Sequence, residues 1–466
     1  MVARTQALCG AFAGIAFAIG LVCGPLLVAS TAKADAWTRD DHVIYDDSRA
    51  LVFGGPTEAQ AALARLQALQ RRDTAAILIL ASRYVRLLES DINVALQQIT
   101  GEKKASGWFD WMVWQERHPE VKPHASFHRV AHELITRIDS DFTRFVWPGL
   151  PREIRFEEIV WGGVSVDGIP ALVNPKHITP HEATYLSPEE LVFGVAIDGD
   201  ARAYPLRIMD WHEMFNDVVG GVPVALAYCT LCGAGILFDT RVEGFAGPLE
   251  FGSSGLLYRS NKLMYDRQTD SLWNQFTGKP VVGALVGSGI QLKILPVAIT
   301  TWKDWLAANP ATKVLSLETG HSRDYTPGAP YSRYFSSPDL MFPAAVGDTR
   351  IRQKDYIFGI RAFGGQKSWP VETFRYKRVV NDTVGQVDVV LIGDAATRTV
   401  RAYRRDGRIF EPGGAPDEVK IGAATWKIGE ENLLGPAGEK LPRVAGHVAF
   451  WFAWAGYLGD ESNLQQ

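Results

Sequence analysis

The strongest constraint on the fold is a hairpin signature that the chain uses twice. Leu191-Val-Phe-Gly-Val-Ala-Ile197 is an apolar run of strand length, Asp198-Gly199-Asp200 is a tight turn, and Ala201-Arg-Ala-Tyr-Pro205 supplies the returning strand. At a spacing of 165 residues the same punctuation returns: Phe193 and Gly194 align with Phe358 and Gly359, Gly199 with Gly364, and Pro205 with Pro370. Asn216, Asp217, Val219 and Gly220 then align with Asn381, Asp382, Val384 and Gly385. Further on the spacing shortens, pairing Trp273 with Trp426, and Trp302 and Trp305 with Trp451 and Trp454. Turn formers and strand apolars are what two degenerate copies of one β-fold would share. The expectation is a first β-rich repeat over 151–350 and a second over 351–466.

The residues ahead of the repeats have another texture. From Pro56 to about Trp147, apolar residues recur at three-and-four spacing, as in Ala59, Leu63, Leu66 and Leu69, then Ile77, Leu80, Tyr84 and Leu87. Pro56-Thr57 suits a helix start, and Arg71-Arg72-Asp73 separates two helices. Trp108, Trp111 and Trp114 predict one helical face packed on the next layer. The fold class expected is therefore α+β: a helical region over 35–150, then β-rich repeats in which 302–308 is the best helix candidate.

Residues 1–34 read as a signal peptide. Arg4 supplies a positive start, no charge interrupts the run from Ala7 to Ala29, and Ala32-Lys33-Ala34 offers a small-x-small cleavage site. The same run is long enough to serve as an uncleaved anchor, but no later one is. A periplasmic or secreted protein with no membrane span after cleavage is expected. The 48 Lys+Arg against 52 Asp+Glu leave a net charge of -4, which excludes recruitment of nucleic acid by bulk charge.

Of four cysteines, Cys9 and Cys23 leave with the signal, and the mature chain keeps Cys229 and Cys232. A loop this short is a poor staple for a chain of this size, so the pair points to chemistry. In Tyr228-Cys-Thr-Leu-Cys-Gly233 the turn aims two sulfurs at one centre, and Gly233 can take the positive φ of a metal-binding knuckle. A thioredoxin-type pair would open a long helix, for which Gly233-Ala-Gly235 is a poor start. His212, in Asp210-Trp-His-Glu213, is the candidate third ligand, with Asp210 and Glu213 placed to orient its ring. Sulfur plus imidazole suits copper, with zinc as the alternative. Trp211 and Trp273 are candidate walls for a small-molecule substrate, and Gly252-Ser-Ser-Gly255 reads as a turn whose Ser254 presents a hydroxyl to an anion. His177, His181, His321 and His447 are weaker candidates; Pro180 breaks the helix that the first two would need to share a ligand face. No GxSxG elbow, Walker loop, dinucleotide fingerprint or HExxH occurs. At the repeat spacing Cys229, Cys232 and His212 face Asp394, Thr397 and Lys377, so the second copy is expected to be a wall or lid for a site in the first.

The ordered series Asp167-Gly-Ile-Pro-Ala171, Ala203-Tyr-Pro-Leu206, Trp211-His-Glu213, Asn216-Asp217 and Tyr228-Cys-x-x-Cys-Gly233 resembles the domain of unknown function 3179 family. Phe251-Gly252, Ser254-Gly255-Leu256, Met264-Tyr-Asp-Arg267 and Ser271-Leu-Trp273 extend the resemblance, which covers about residues 160–460. Asp210 stands where that family usually has Asn, and Thr230 where it often has Pro. The resemblance implies emphasis on His212, Cys229 and Cys232 and no particular activity. Three functions stay open. One is an exported metal site, copper foremost, built from Cys229, Cys232 and His212 for oxidative chemistry or for exchange with a metal-handling partner. The second is a metal-free thiol–disulfide redox protein using the same cysteines. The third is a non-catalytic interaction module docking through its helices.

Overall fold

The computed structural model describes residues 37–465, so the signal-peptide reading of 1–34 lies outside the described residues. Among the described residues, six helices of ten residues or more come first: Arg39–Phe53, Pro56–Ala68, Ala75–Tyr84, Glu89–Thr100, Gly107–Arg117 and Ser126–Ile138. The first precedes the Pro56 start read from the sequence. Thr38 caps it: its hydroxyl accepts from Asp41 N at 3.2 Å, while the Asp41 carboxylate accepts from Thr38 N at 2.9 Å. Its buried face carries Asp47 and Ser48 beside Ile44 and Leu51, which blurs the apolar stripe. Trp111 and Trp114 are buried as expected. Among the described residues no helix is long and apolar enough to cross a membrane.

The helices are not a separate bead. Ile77, Leu96 and Trp111 belong to one core with Leu256, Leu263 and Met264 of the following strands.

The first β unit is built around the hairpin Leu191–Ile197 and Asp200–Pro205, widened by Ala298–Thr301. A second sheet runs through Met214–Val219, Val222–Cys229 and Ala234–Asp239, with Lys293–Leu295 on its edge. Phe251–Tyr258, Asn261–Asp266, Leu272–Asn274 and Lys279–Val282 form a third sheet, a meander that also pairs with Ile159–Trp161. The helix Trp302–Ala308 follows at its expected place.

Five strands of the second unit repeat the bounds of the first at 165 residues: Tyr356–Ala362, Gly365–Pro370, Val379–Val384, Val387–Asp394 and Thr399–Arg404. Tyr356–Ala362 is widened by His447–Phe450, as Leu191–Ile197 is by Ala298–Thr301, and a helix follows in each case, here Trp451–Leu458. The packing repeats as well. A Cβ on Gly194 would lie 2.3 Å from Trp305, and one on Gly359 would lie 2.2 Å from Trp454. Asn216 exchanges two hydrogen bonds with the Phe251 backbone, and Asn381 does the same with Phe410. In the second unit, however, the middle strands and the meander form one continuous sheet of eight strands. Phe193, Phe215 and Leu226 of the first unit share a core with Phe358, Trp369 and Leu391 of the second.

Between the units, residues 316–355 form a long connection whose only helix, among the described residues, is Ser332–Ser336. Long connections of this kind are uncommon in a compact fold and usually carry function.

Candidate functional site

The cysteine turn closes the hairpin Val222–Cys229 and Ala234–Asp239, with Cys229 paired in register to Ala234. Cys232 N donates to Cys229 O at 3.1 Å and Gly233 N to Thr230 O at 3.2 Å. Gly233 adopts φ 58°, as its place after the second cysteine requires, and a Cβ there would lie 2.9 Å from the Tyr356 ring. Cys229 and Cys232 are joined as a disulfide across a Cα separation of 5.2 Å, and both are buried. Phe450 N donates to Cys232 O at 2.7 Å, which pins the turn to the second unit.

Glu213 sits beside this turn in a left-handed conformation (φ 53°) that ends the helix Leu206–His212. Its buried carboxylate accepts from Thr230 Oγ1 at 2.7 Å, from Tyr331 OH at 3.0 Å and from the buried Lys262 ammonium at 3.0 Å. Thr230, the residue after Cys229, therefore ties an ion pair to the disulfide turn. Asp210 is buried on the same helix and accepts from Tyr228 OH at 3.2 Å. Burial pushes its carboxyl up to about 7, with the Tyr228 hydrogen bond opposing and Glu213 adding to the rise. The site thus holds a carboxyl that exchanges its proton near neutral pH.

His212 is fully buried, with Nδ1 2.8 Å from Pro170 O and Nε2 2.7 Å from Tyr325 OH. A backbone carbonyl only accepts, so Nδ1 carries the proton and Nε2 accepts from the Tyr325 hydroxyl. Burial pushes its pKa down to about 4, which leaves the ring neutral at pH 7. Both nitrogens are therefore engaged away from sulfur. Among the described residues no group of three or more His, Cys, Asp or Glu side chains is placed to hold a metal ion. The ligand set read from the sequence, Cys229, Cys232 and His212, is not assembled here around one point.

The other candidates separate. Trp211 is half-buried; its Nε1 donates to Asp324 O at 2.5 Å and the Arg323 guanidinium lies over its ring. Trp273 is a core residue rather than a wall, fully buried against Phe251 with Nε1 on Asp266. Ser254 corrects the turn reading. It lies inside the strand Phe251–Tyr258, buried, and its hydroxyl donates to Leu263 O at 2.5 Å. The glycines there are needed for close approach: a Cβ on Gly252 would lie 2.6 Å from Tyr265, and one on Gly255 would lie 2.6 Å from Val164 O. His321 stands 5.2 Å, ring to ring, from His212. His177 faces Asp217 at 3.4 Å, His181 is exposed in a turn, and His447 is buried between Phe276 and Trp454.

The connection between the units supplies what sequence reasoning missed. Tyr325 caps His212, Tyr331 reaches Glu213, and Tyr334 OH donates to Leu231 O at 2.7 Å, inside the cysteine turn. Nothing in the spacing of these tyrosines marks them. Lys262 did carry a signal: it is the one basic residue in the strand Asn261-Lys-Leu-Met-Tyr-Asp266, and buried charges need partners.

The family model for proteins of unknown function DUF3179 matches residues 166–461. No curated protein and no solved structure matches the chain.

Proposed function

Because the chain belongs to the DUF3179 family, whose description assigns no activity, we propose from the site's own geometry that it is an exported thiol–disulfide redox protein using Cys229 and Cys232. The observation that carries this reading is the bonded cysteine pair in a turn tied through Thr230 to the buried Glu213 carboxylate, with the Asp210 carboxyl on the same helix bonded to Tyr228. Reduction of the pair takes two electrons from a partner dithiol. A partner thiolate attacks one sulfur, the S–S bond breaks and the departing cysteine takes up a proton. The partner's second thiol then resolves the mixed disulfide, leaving two protein thiols and an oxidised partner. Asp210 and the Glu213–Lys262 pair supply proton exchange and charge balance where water is scarce. Both cysteines are buried, so attack by a partner thiol requires a local opening of the structure.

The test is titration of the native exported protein in dithiothreitol redox buffers, with thiol alkylation read by mass. A single two-electron couple that vanishes in Cys229→Ser is expected. A pair that stays oxidised in all buffers overturns the reading. So does a pair isolated as thiols holding stoichiometric copper by elemental analysis, which would return the assignment to the metal site with His212.

A further inference from the structure

A cavity of about 580 Å³ opens where the helical region, the first β unit and the C-terminal helix Trp451–Leu458 meet. That volume is typical of a small-molecule site. Its charged lining comes from distant parts of the chain: Glu116 from the end of Gly107–Arg117, Arg259 from the turn after Phe251–Tyr258, and Asp348 with Arg350 from the connection between the units.

Each guanidinium is held in place by the protein. Arg350 lays both Nε and Nη2 on the Asp348 carboxylate, and its Nη1 donates to Leu464 O at 3.2 Å. Arg259 Nε takes Glu158 at 2.6 Å and its Nη1 reaches Gly456 O at 3.4 Å. Such anchoring removes the entropy cost of ordering a long side chain around a ligand. Glu116 is buried, and one carboxylate oxygen accepts from Ala345 N at 2.7 Å. Burial, with Glu158 adding and the Ala345 N–H, Arg259 and Arg117 opposing, pushes it up to about 7, so below that pH it offers an O–H donor.

Gly347, Gly456 and Gly459 also line the cavity. A Cβ on Gly347 or Gly459 would meet no atom within 4 Å, and one on Gly456 only Ala345 O at 3.6 Å. Gly459 adopts φ 54°, which itself calls for glycine, so Gly347 and Gly456 are the positions where a side chain is missing although there is room for one. The turn that presents Arg259 is a two-residue hairpin loop in which Arg259 and Ser260 adopt φ 49° and 62°, positions that glycine and asparagine usually fill. The same turn places Ser260 O 3.6 Å from Cys232 Sγ, so the cavity and the cysteine pair lie on two sides of one turn.

We propose that this cavity binds a small organic acid, its carboxylate groups received by Arg259 and Arg350 and its carbon skeleton lying along Gly347 and Gly456. A guanidinium carries five N–H donors, so Arg259 and Arg350 each keep donors for a ligand carboxylate beyond those their own partners take. The proposal goes beyond the redox reading and does not depend on it.

Calorimetric titration of the purified chain with succinate and with citrate tests it, with inorganic phosphate and putrescine in parallel. Saturable one-site binding of at least one acid is expected, weakened tenfold or more by Arg350→Gln and by Gly456→Leu at unchanged circular dichroism. Arg350 pairs at the surface, so its loss leaves the fold intact even if Gly456→Leu does not. The proposal is overturned if neither acid binds at about 10 mM, if Arg350→Gln binds like the parent protein, or if phosphate or putrescine binds in preference. None of these readouts involves the cysteines, so failure here and failure of the redox reading are separable.

Discussion

Two hairpin turns occupy matching places in the two β units and are closed by different chemistry. In the first, residues 230–233 follow Val222–Cys229 and a disulfide spans them. In the second, residues 395–398 follow Val387–Asp394, and Asp394 Oδ1 accepts from Ala396 N at 2.8 Å while Thr397 Oγ1 donates to Thr399 Oγ1 at 2.8 Å. Gly233 and Arg398 end the two turns at φ 58° and 56°. Two side-chain hydrogen bonds are enough to hold the second turn, so turn geometry alone does not call for the covalent bond of the first unit. The second turn also serves the first. Arg398 Nη1 donates to Tyr356 OH at 2.6 Å, and the Tyr356 ring lies over Gly233.

The largest effect is expected where the units are most alike. Gly194→Ala and Gly359→Ala each drive a methyl group into a buried tryptophan and are expected to cost about 3 kcal/mol in urea unfolding. A large loss at one glycine and none at the other would break the equivalence of the two strand–helix packings.

Protonation should separate the units next. Asp210 holds its proton up to about pH 7, whereas the position 165 residues on is Arg375, paired with Glu372 at the surface. Between about pH 4 and 7 the folded chain keeps a proton that the unfolded chain has released, so stability falls as pH rises through that window and levels off above it. Asp210→Asn, which keeps an acceptor for Tyr228, is expected to flatten the decline and gain about 2–3 kcal/mol at pH 8 relative to pH 4. Glu116 has the same sign of shift and leaves a residual slope. An unchanged profile in this variant, followed by denaturant unfolding across pH, would remove Asp210 from the account.

The two clamps come last. Replacing both Cys229 and Cys232 with alanine opens a very short loop and is expected to cost about 2 kcal/mol. Asp394→Ala removes one turn hydrogen bond and should cost about 1 kcal/mol. A cysteine loss no greater than the Asp394 loss would sharpen the contrast: the disulfide would then add little stability beyond what the turn needs.

The hairpins were legible because turn glycines and apolar runs are local signals. Leu191–Ile197, Asp200–Pro205 and Trp302–Ala308 stand where the sequence reading put them. Arg39–Phe53 lies inside the expected helical region 35–150 but shows no clear apolar stripe, because Asp47, bound to Arg65, and Ser48 occupy its inner face. Gly252-Ser-Ser-Gly255 has turn composition yet forms a strand, because its glycines yield space to Tyr265 and Val164 rather than bending the chain.

The amino-acid sequence by itself determined the order of helices and hairpins, the position of the cysteine turn and the left-handed Gly233, since each depends on residues a few places apart. Only the tertiary structure decided the partners of that turn. His212 was drawn to Pro170 and Tyr325, and Glu213 to Lys262 and Tyr331, groups 42 to 118 residues away along the chain. Burial obliges each of these polar atoms to find a partner, and which one lies within reach is settled by how the layers pack.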